Sequence, residues 1–235
     1  MKRIKVIVAV STDKWNQPLA AQYESIKDPD TEITIVNLEK GPESIETCYD
    51  EAFAEPFVVQ EVEKAAAEGF YGVIIYCFGN PGLHASREAV EIPVVGIGEA
   101  ALNLAAILGH RVSVIVELAS AVPRVWRTVK LMGLMEKVAS VRSADIPVLE
   151  MNRPERLRSA ILQAGKVAVE QDDADVLVLG CGSMFGIREK LQSRFQAPVV
   201  EPGPAALKLV ESLIQLGLSH SKRAFRPPPT KRIVF

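Results

Sequence analysis

Hydrophobic and polar positions along the chain follow two periods in turn. Short runs rich in Val and Ile are each followed by a longer stretch with apolar residues every three or four positions, the pattern of parallel strands joined by crossover helices. The predicted strands are Ile4–Val10, Glu32–Val36, Val73–Cys77, Val94–Ile97, Val112–Val116, Val138–Val141, Val176–Gly180 and Val199–Val200. Helices are predicted near residues 14–27, 57–69, 83–90, 99–108, 122–133, 154–170, 184–195 and 204–217. Eight strands and eight helices fit a single (β/α)8 barrel, and they also divide into two sets of four.

The letters favour the division. Pro93-Val-Val-Gly-Ile-Gly-Glu-Ala-Ala-Leu-Asn-Leu104 aligns with Pro198-Val-Val-Glu-Pro-Gly-Pro-Ala-Ala-Leu-Lys-Leu209, with eight of twelve positions identical. Just upstream, Val73-Ile-Ile-Tyr-Cys77 faces Leu177-Val-Leu-Gly-Cys181. A local twofold repeat of this kind predicts an α/β protein of two similar Rossmann-like parallel-sheet domains, related by a pseudo-twofold axis, with the site in the cleft between them. The first half is expected over residues 1–98 and the second over 99–203, with the C-terminal segment 204–235 folding back onto the first half.

Parallel sheets present ligand sites at the carboxyl ends of their strands, and Cys77 and Cys181 both fall there. Cys77 precedes Phe78-Gly79-Asn80-Pro81-Gly82, in which Asn80 and Pro81 suit the cap and first residue of a helix. Cys181 precedes Gly182-Ser183, where Ser183 can cap and Gly182 lets a ligand approach the backbone. Each thiol is therefore expected among free N–H groups near a helix N-terminus, which would lower its pKa from the free value of about 8.5. A lone cysteine at a strand end is ordinarily a small buried hydrophobe; two at equivalent places in a repeat are harder to ascribe to packing. Two thiols across a twofold axis suit proton transfer at a stereogenic carbon, one removing a proton from one face and the other delivering one to the opposite face. Such sulfurs should stand about 7 Å apart across the substrate, each within reach of the reacting carbon. Cys48 has no repeat partner and reads as an incidental, partly buried thiol.

Composition narrows the alternatives. The 235 residues carry 27 Lys+Arg against 29 Asp+Glu, a net charge of −2, which leaves no electrostatic footprint for nucleic acid or an anionic membrane. No apolar run is long enough to span a bilayer, and the first residues lack a cleavage-like signal, so a cytoplasmic location is expected. Three cysteines and no Cys-x-x-Cys argue against a disulfide framework, and three histidines remote from the thiols against zinc. No metal or other cofactor is expected. Lys222–Arg232 is basic and proline-rich and reads as an extended tail lying on the body or on a neighbouring subunit.

Tyr76-Cys-Phe-Gly-Asn-Pro-Gly-Leu83, Pro93-Val-Val-Gly-Ile-Gly-Glu-Ala-Ala101, Val178-Leu-Gly-Cys-Gly-Ser-Met184 and Gly217-Leu-Ser-His-Ser-Lys222 resemble the aspartate/glutamate/hydantoin racemase superfamily, most nearly its hydantoin branch, with allantoin racemase beside it. Gly41-Pro-Glu-Ser-Ile-Glu46, Tyr49-Asp50-Glu51 and Ala139-Ser-Val-Arg142 extend the likeness over nearly the whole chain. The resemblance implies a cofactor-independent racemase of a small-molecule substrate, with Cys77 and Cys181 as the acid/base pair, in a dimer-based homo-oligomer. It also implies substrate contacts from Ser11, Thr12, Phe78, Gly79, Asn80, Gly182 and Ser183. The chain departs from the pattern where an Asn-Pro-Asn-Thr-Ser stretch is replaced by Val8-Ala9-Val10-Ser11-Thr12, and where a Thr is replaced by Val116, followed by Glu117. Glu117 reads as a pocket acid or, more readily, as a solvated loop charge. A pocket poorer in polar donors suits a neutral hydantoin ring better than a dicarboxylate, because ring carbonyls accept the α-carbanion's charge as an enolate.

Overall fold

The computed structural model describes residues 1–151 and 154–232. Residues 233–235, the end of the segment expected to fold back, lie outside the described residues. The first half runs β1 (Lys2–Val8), α1 (Asn16–Glu24), β2 (Thr31–Asn37), α2 (Cys48–Ala67), β3 (Gly72–Tyr76), α3 (Leu83–Ala89), β4 (Val94–Gly96) and α4 (Ile97–Leu108). The second runs β5 (Val112–Val116), α5 (Ala121–Leu131), β6 (Val138–Ser143), α6 (Pro154–Asp172), β7 (Val176–Leu179), α7 (Arg188–Phe195), β8 (Val199–Val200) and α8 (Pro202–Gln215).

The strands form two separate four-stranded sheets, ordered β2-β1-β3-β4 and β6-β5-β7-β8, every neighbouring pair parallel. The second order is the first with four added to each number, so the repeat seen in the letters is a repeat of topology, and the chain is not one barrel. β3, β5 and β7 are buried along their whole length, which is why they read as unbroken Val/Ile/Leu runs. The repeated Pro-Val-Val segments form β4–α4 and β8–α8. α8 packs against β3, β4 and α1 of the first half, α4 lies against β7 and β8 as well as its own sheet, and α4 and α8 pack together at the junction.

Three elements differ from expectation. α2 begins at Cys48 rather than near residue 57, because Thr47 and Asp50 form a reciprocal capping box and the helix continues through Pro56. Cys48 is consequently at an exposed helix start, with Arg127 Nη1 3.5 Å from its sulfur. Asn80 does not cap the helix that follows it: α3 starts after Gly82, which adopts a left-handed φ of 67°. The Asn80 side chain instead accepts from the N–H groups of Gly98 and Glu99, at 3.0 and 3.4 Å, and so caps α4 from another loop. Likewise α7 begins at Arg188, beyond the reach of a Ser183 cap.

The start of the C-terminal segment is tied to the body. Ser219 Oγ donates to Glu91 O, the Val94 N–H donates to His220 Nε2 at 2.9 Å, and Lys222 Nζ donates to the carbonyls of Arg87 and Glu88 in α3 and to Val90 just beyond it. Phe225 rests against His84, His220 and the Arg87 guanidinium. Among the described residues no helix is long and apolar enough to cross a membrane.

Candidate active site

The carboxyl ends of β1, β3, β5 and β7 converge on one pocket of about 500 Å3 of empty space including its mouth. β3 ends at Tyr76, so Cys77 is the first residue beyond it; β7 ends at Leu179, two residues before Cys181. Cys77 and Cys181 both line the pocket, one from each half, and both are partly exposed. Val8, Val10, Trp15, Ile45 and Val148 supply its apolar walls, and Phe78, Gly79, Gly180, Gly182 and Ser183 the backbone around the thiols.

The two thiol loops repeat one another chemically. The Gly79 N–H is directed to the Cys77 sulfur and the Ser183 N–H to the Cys181 sulfur, each donor two residues past its cysteine. One N–H of the expected cradle therefore faces each sulfur, and the expected lowering of the thiol pKa does not follow. Burial dominates and pushes each thiol up to about 12. Arg124 is the main charge opposing that rise at Cys77, whereas Glu117 adds to it at Cys181.

Ser183 is coupled to Cys181 through its side chain as well. Its hydroxyl lies 3.0 Å from the Cys181 sulfur and donates to Met151 Sδ at 2.9 Å. In that arrangement the thiol proton is the one shared between Cys181 and Ser183; a rotation of the hydroxyl lets Ser183 donate to a thiolate instead.

Not every expected contact reaches the pocket. Ser11 is exposed, with its hydroxyl directed to Pro42 O, and neither it nor Thr12 lines the cavity. Asn80 is also outside, engaged with α4, so its contribution is to fix the loop that carries Cys77.

The site also contains charge. Glu117, expected in solvent, is 2% exposed because the chain beyond β5 turns into the pocket, where Arg124 Nη2 donates to Glu117 Oε1 at 2.8 Å. Arg124, 5% exposed, donates through Nη1 to Glu51 Oε1 at 3.1 Å, and Arg127 Nη2 bonds Glu51 Oε2 at 3.4 Å. Burial pushes the Glu117 carboxyl up to about 7 and raises Glu51 as well. Glu51 is pressed against the Cys77 loop: a Cβ at Gly79 would stand 1.7 Å from Glu51 Oε1, so only glycine fits there. Arg124 was legible as an anomaly, since it shares the buried stripe of α5 with Ala121, Val125 and Val129. Among the described residues no group of three or more His, Cys, Asp and Glu could hold a metal ion.

Comparison with known proteins places this geometry. Residues 4–210 match the family model described as Asp/Glu/Hydantoin racemase. Hydantoin racemase from a Pseudomonas species is 35% identical over 99% of this chain and 94% of its own length; that from Paenarthrobacter aurescens is 33% identical over 98% of each. The structure of allantoin racemase from Klebsiella pneumoniae superposes with a TM-score of 0.95 at 31% identity, covering 100% of this chain and 97% of that one. The chain belongs to the Asp/Glu/hydantoin racemase family. Its activity is accordingly that of an isomerase, a racemase.

Proposed function

We propose that this racemase acts without a cofactor on a 5-substituted hydantoin or a related cyclic amino-acid derivative, with Cys77 and Cys181 as its two acid/base groups. The carrying observation is the delivery of one sulfur from each half to one cavity, each beside an equivalent backbone N–H. In one direction Cys77, having first released its own proton to solvent, takes as thiolate the proton from the stereogenic carbon. The electron pair left behind moves onto the adjacent ring carbonyl as an enolate, and the Cys181 thiol gives its proton to the opposite face. The product has inverted configuration, Cys77 is left as thiol and Cys181 as thiolate, and the reverse reaction restores them. The Ser183 hydroxyl serves both states of Cys181, accepting from the thiol or donating to the thiolate.

Substrate charge follows from the same wall. Among the described residues lining the cavity Arg124 is the cation, and it is already shared between two carboxylates, so an anionic substrate meets no uncompensated positive charge there. A neutral ring avoids that penalty. Such an enzyme would work in the cytoplasm. The test is a cofactor-free screen by loss of optical rotation across 5-substituted hydantoins, allantoin and free amino acids. The expected result is turnover of a ring substrate; higher kcat/KM for free aspartate or glutamate would overturn the assignment.

A further inference from the structure

The proton transfer described above makes no use of the Glu117–Arg124 pair, yet both residues line the cavity. The pair is bonded once where it could be bonded twice. Arg124 Nη2 and the Nε–H share one edge of the guanidinium, and arginine commonly offers that edge to both oxygens of a carboxylate. Here Nη2 takes Glu117 Oε1, while Glu117 Oε2 and Arg124 Nε are both buried without a hydrogen-bond partner. Glu51 holds Nη1 from the other side, so swinging the guanidinium to close the gap would strain that bond. A buried polar atom left unpaired costs about 1–3 kcal/mol, and two such atoms on partnered side chains of one cavity wall call for a ligand that satisfies both.

A free acceptor beside a free donor is complementary to a group offering a donor beside an acceptor. The N–H and C=O of a cis amide do so, and every lactam, imide or cyclic ureide carries that edge. An open-chain amino acid sets its ammonium donor and carboxylate acceptor one bond further apart, so glycine is the control that separates the two spacings. We propose that Glu117 and Arg124 are the specificity pair of this site, Oε2 accepting a ring N–H and Nε donating to the neighbouring ring carbonyl. The proposal rests on the cavity being the substrate site and adds the two residues that choose the ring.

The experiment is titration calorimetry on the full chain, wild type and Glu117→Gln, with unsubstituted hydantoin, its two mono-N-methyl derivatives and glycine. Unsubstituted hydantoin has no stereocentre, so binding is read without turnover. Wild type should bind hydantoin at least about tenfold more tightly than glycine and than one of the N-methyl derivatives, the scale of one buried hydrogen bond. Glu117→Gln conserves volume and can keep the bond to Arg124, but it offers an NH2 in place of the free oxygen. It should lose about tenfold in hydantoin affinity and lose the discrimination between methylated and unmethylated rings. Arg124→Lys, the second variant, should lose the same discrimination. A folded Glu117→Gln that binds hydantoin within twofold of wild type overturns the proposal. So does equal wild-type affinity for all three rings, which would mean that water alone bridges the two atoms, and so does no hydantoin binding at all. Hydantoin binding with the expected discrimination, but without racemisation of any substituted ring, would instead sink the two-thiol reading and leave the pair standing.

Discussion

The Tyr76 hydroxyl donates to the Gly182 carbonyl at 2.8 Å, so the residue before one thiol holds the residue after the other. The two positions are 106 residues apart, Tyr76 ending β3 of one sheet and Gly182 following β7 of the other. The Tyr76 ring also occupies the space that a side chain at Gly182 would need, a Cβ there falling 2.5 Å from the ring. Tyr23 packs edge-on to Tyr76 at 6.1 Å between ring centroids and donates to Gly203 O at the start of α8. These contacts lock the two cysteine loops into one frame, and proton transfer between opposed groups depends on such fixed spacing.

That lock can be loosened in two ways. Tyr76→Phe removes one hydrogen bond and should cost about 1 kcal/mol of stability, read by urea denaturation. Gly182→Ala forces the ring away and should lower kcat by about 100-fold, the scale of a misplacement near 1 Å. A Gly182→Ala enzyme with wild-type kcat would contradict the lock.

The thiol environment sets a pH dependence. Burial pushes Cys77 and Cys181 up to about 12, so both are protonated in the resting protein at neutral pH. Alkylation by iodoacetamide should therefore be slow at pH 7 and rise about tenfold per pH unit towards pH 10, tracking the thiolate fraction. A plateau below pH 8, read by mass spectrometry at each cysteine, would contradict this.

Arg124 holds two buried carboxylates, and its loss leaves Glu117 without its ion-pair partner and Glu51 with Arg127 alone. Arg124→Met should destabilise the fold by about 3–5 kcal/mol at pH 8. The loss should be smaller at pH 5.5, because the Glu117 carboxyl, pushed up to about 7, is then neutral. Denaturant midpoints at the two pH values check both the size and the sign.

The C-terminal tie gives a third pH effect. Burial lowers His220 to about 4, below its ordinary 6.5, so the native state favours the neutral ring that accepts the Val94 N–H. Its stabilisation is present above pH 6.5 and is lost as pH falls towards 4. The Tm advantage of wild type over His220→Ala should thus shrink between pH 7 and pH 4.5.

What the letters disclosed follows the physics of burial. Parallel strands covered on both faces read as Val/Ile runs, and duplication left Pro93–Leu104 and Pro198–Leu209 nearly superposable, so the architecture and both cysteines were visible. The charged wall was less legible: Arg124 stands out on the apolar stripe of α5, but Glu51 and Glu117 look like any surface charges until α2 and the turn after β5 bring them to it. Asn80 was read as a local cap, but its partner is a helix start 18 residues on, which local sequence rules do not reach. The start of α2 lies well before the predicted helix near 57–69, although Thr47 and Asp50 spell a capping box in the sequence.

The two-thiol assignment is tested most directly by following racemisation and α-deuterium exchange together in Cys77→Ala and Cys181→Ala, each checked for folding. Both variants should lose racemisation, and each should retain exchange from one enantiomer only, the opposite one in the two variants. Racemisation by either single variant at close to the wild-type rate, or exchange of the same enantiomer by both, would contradict the account.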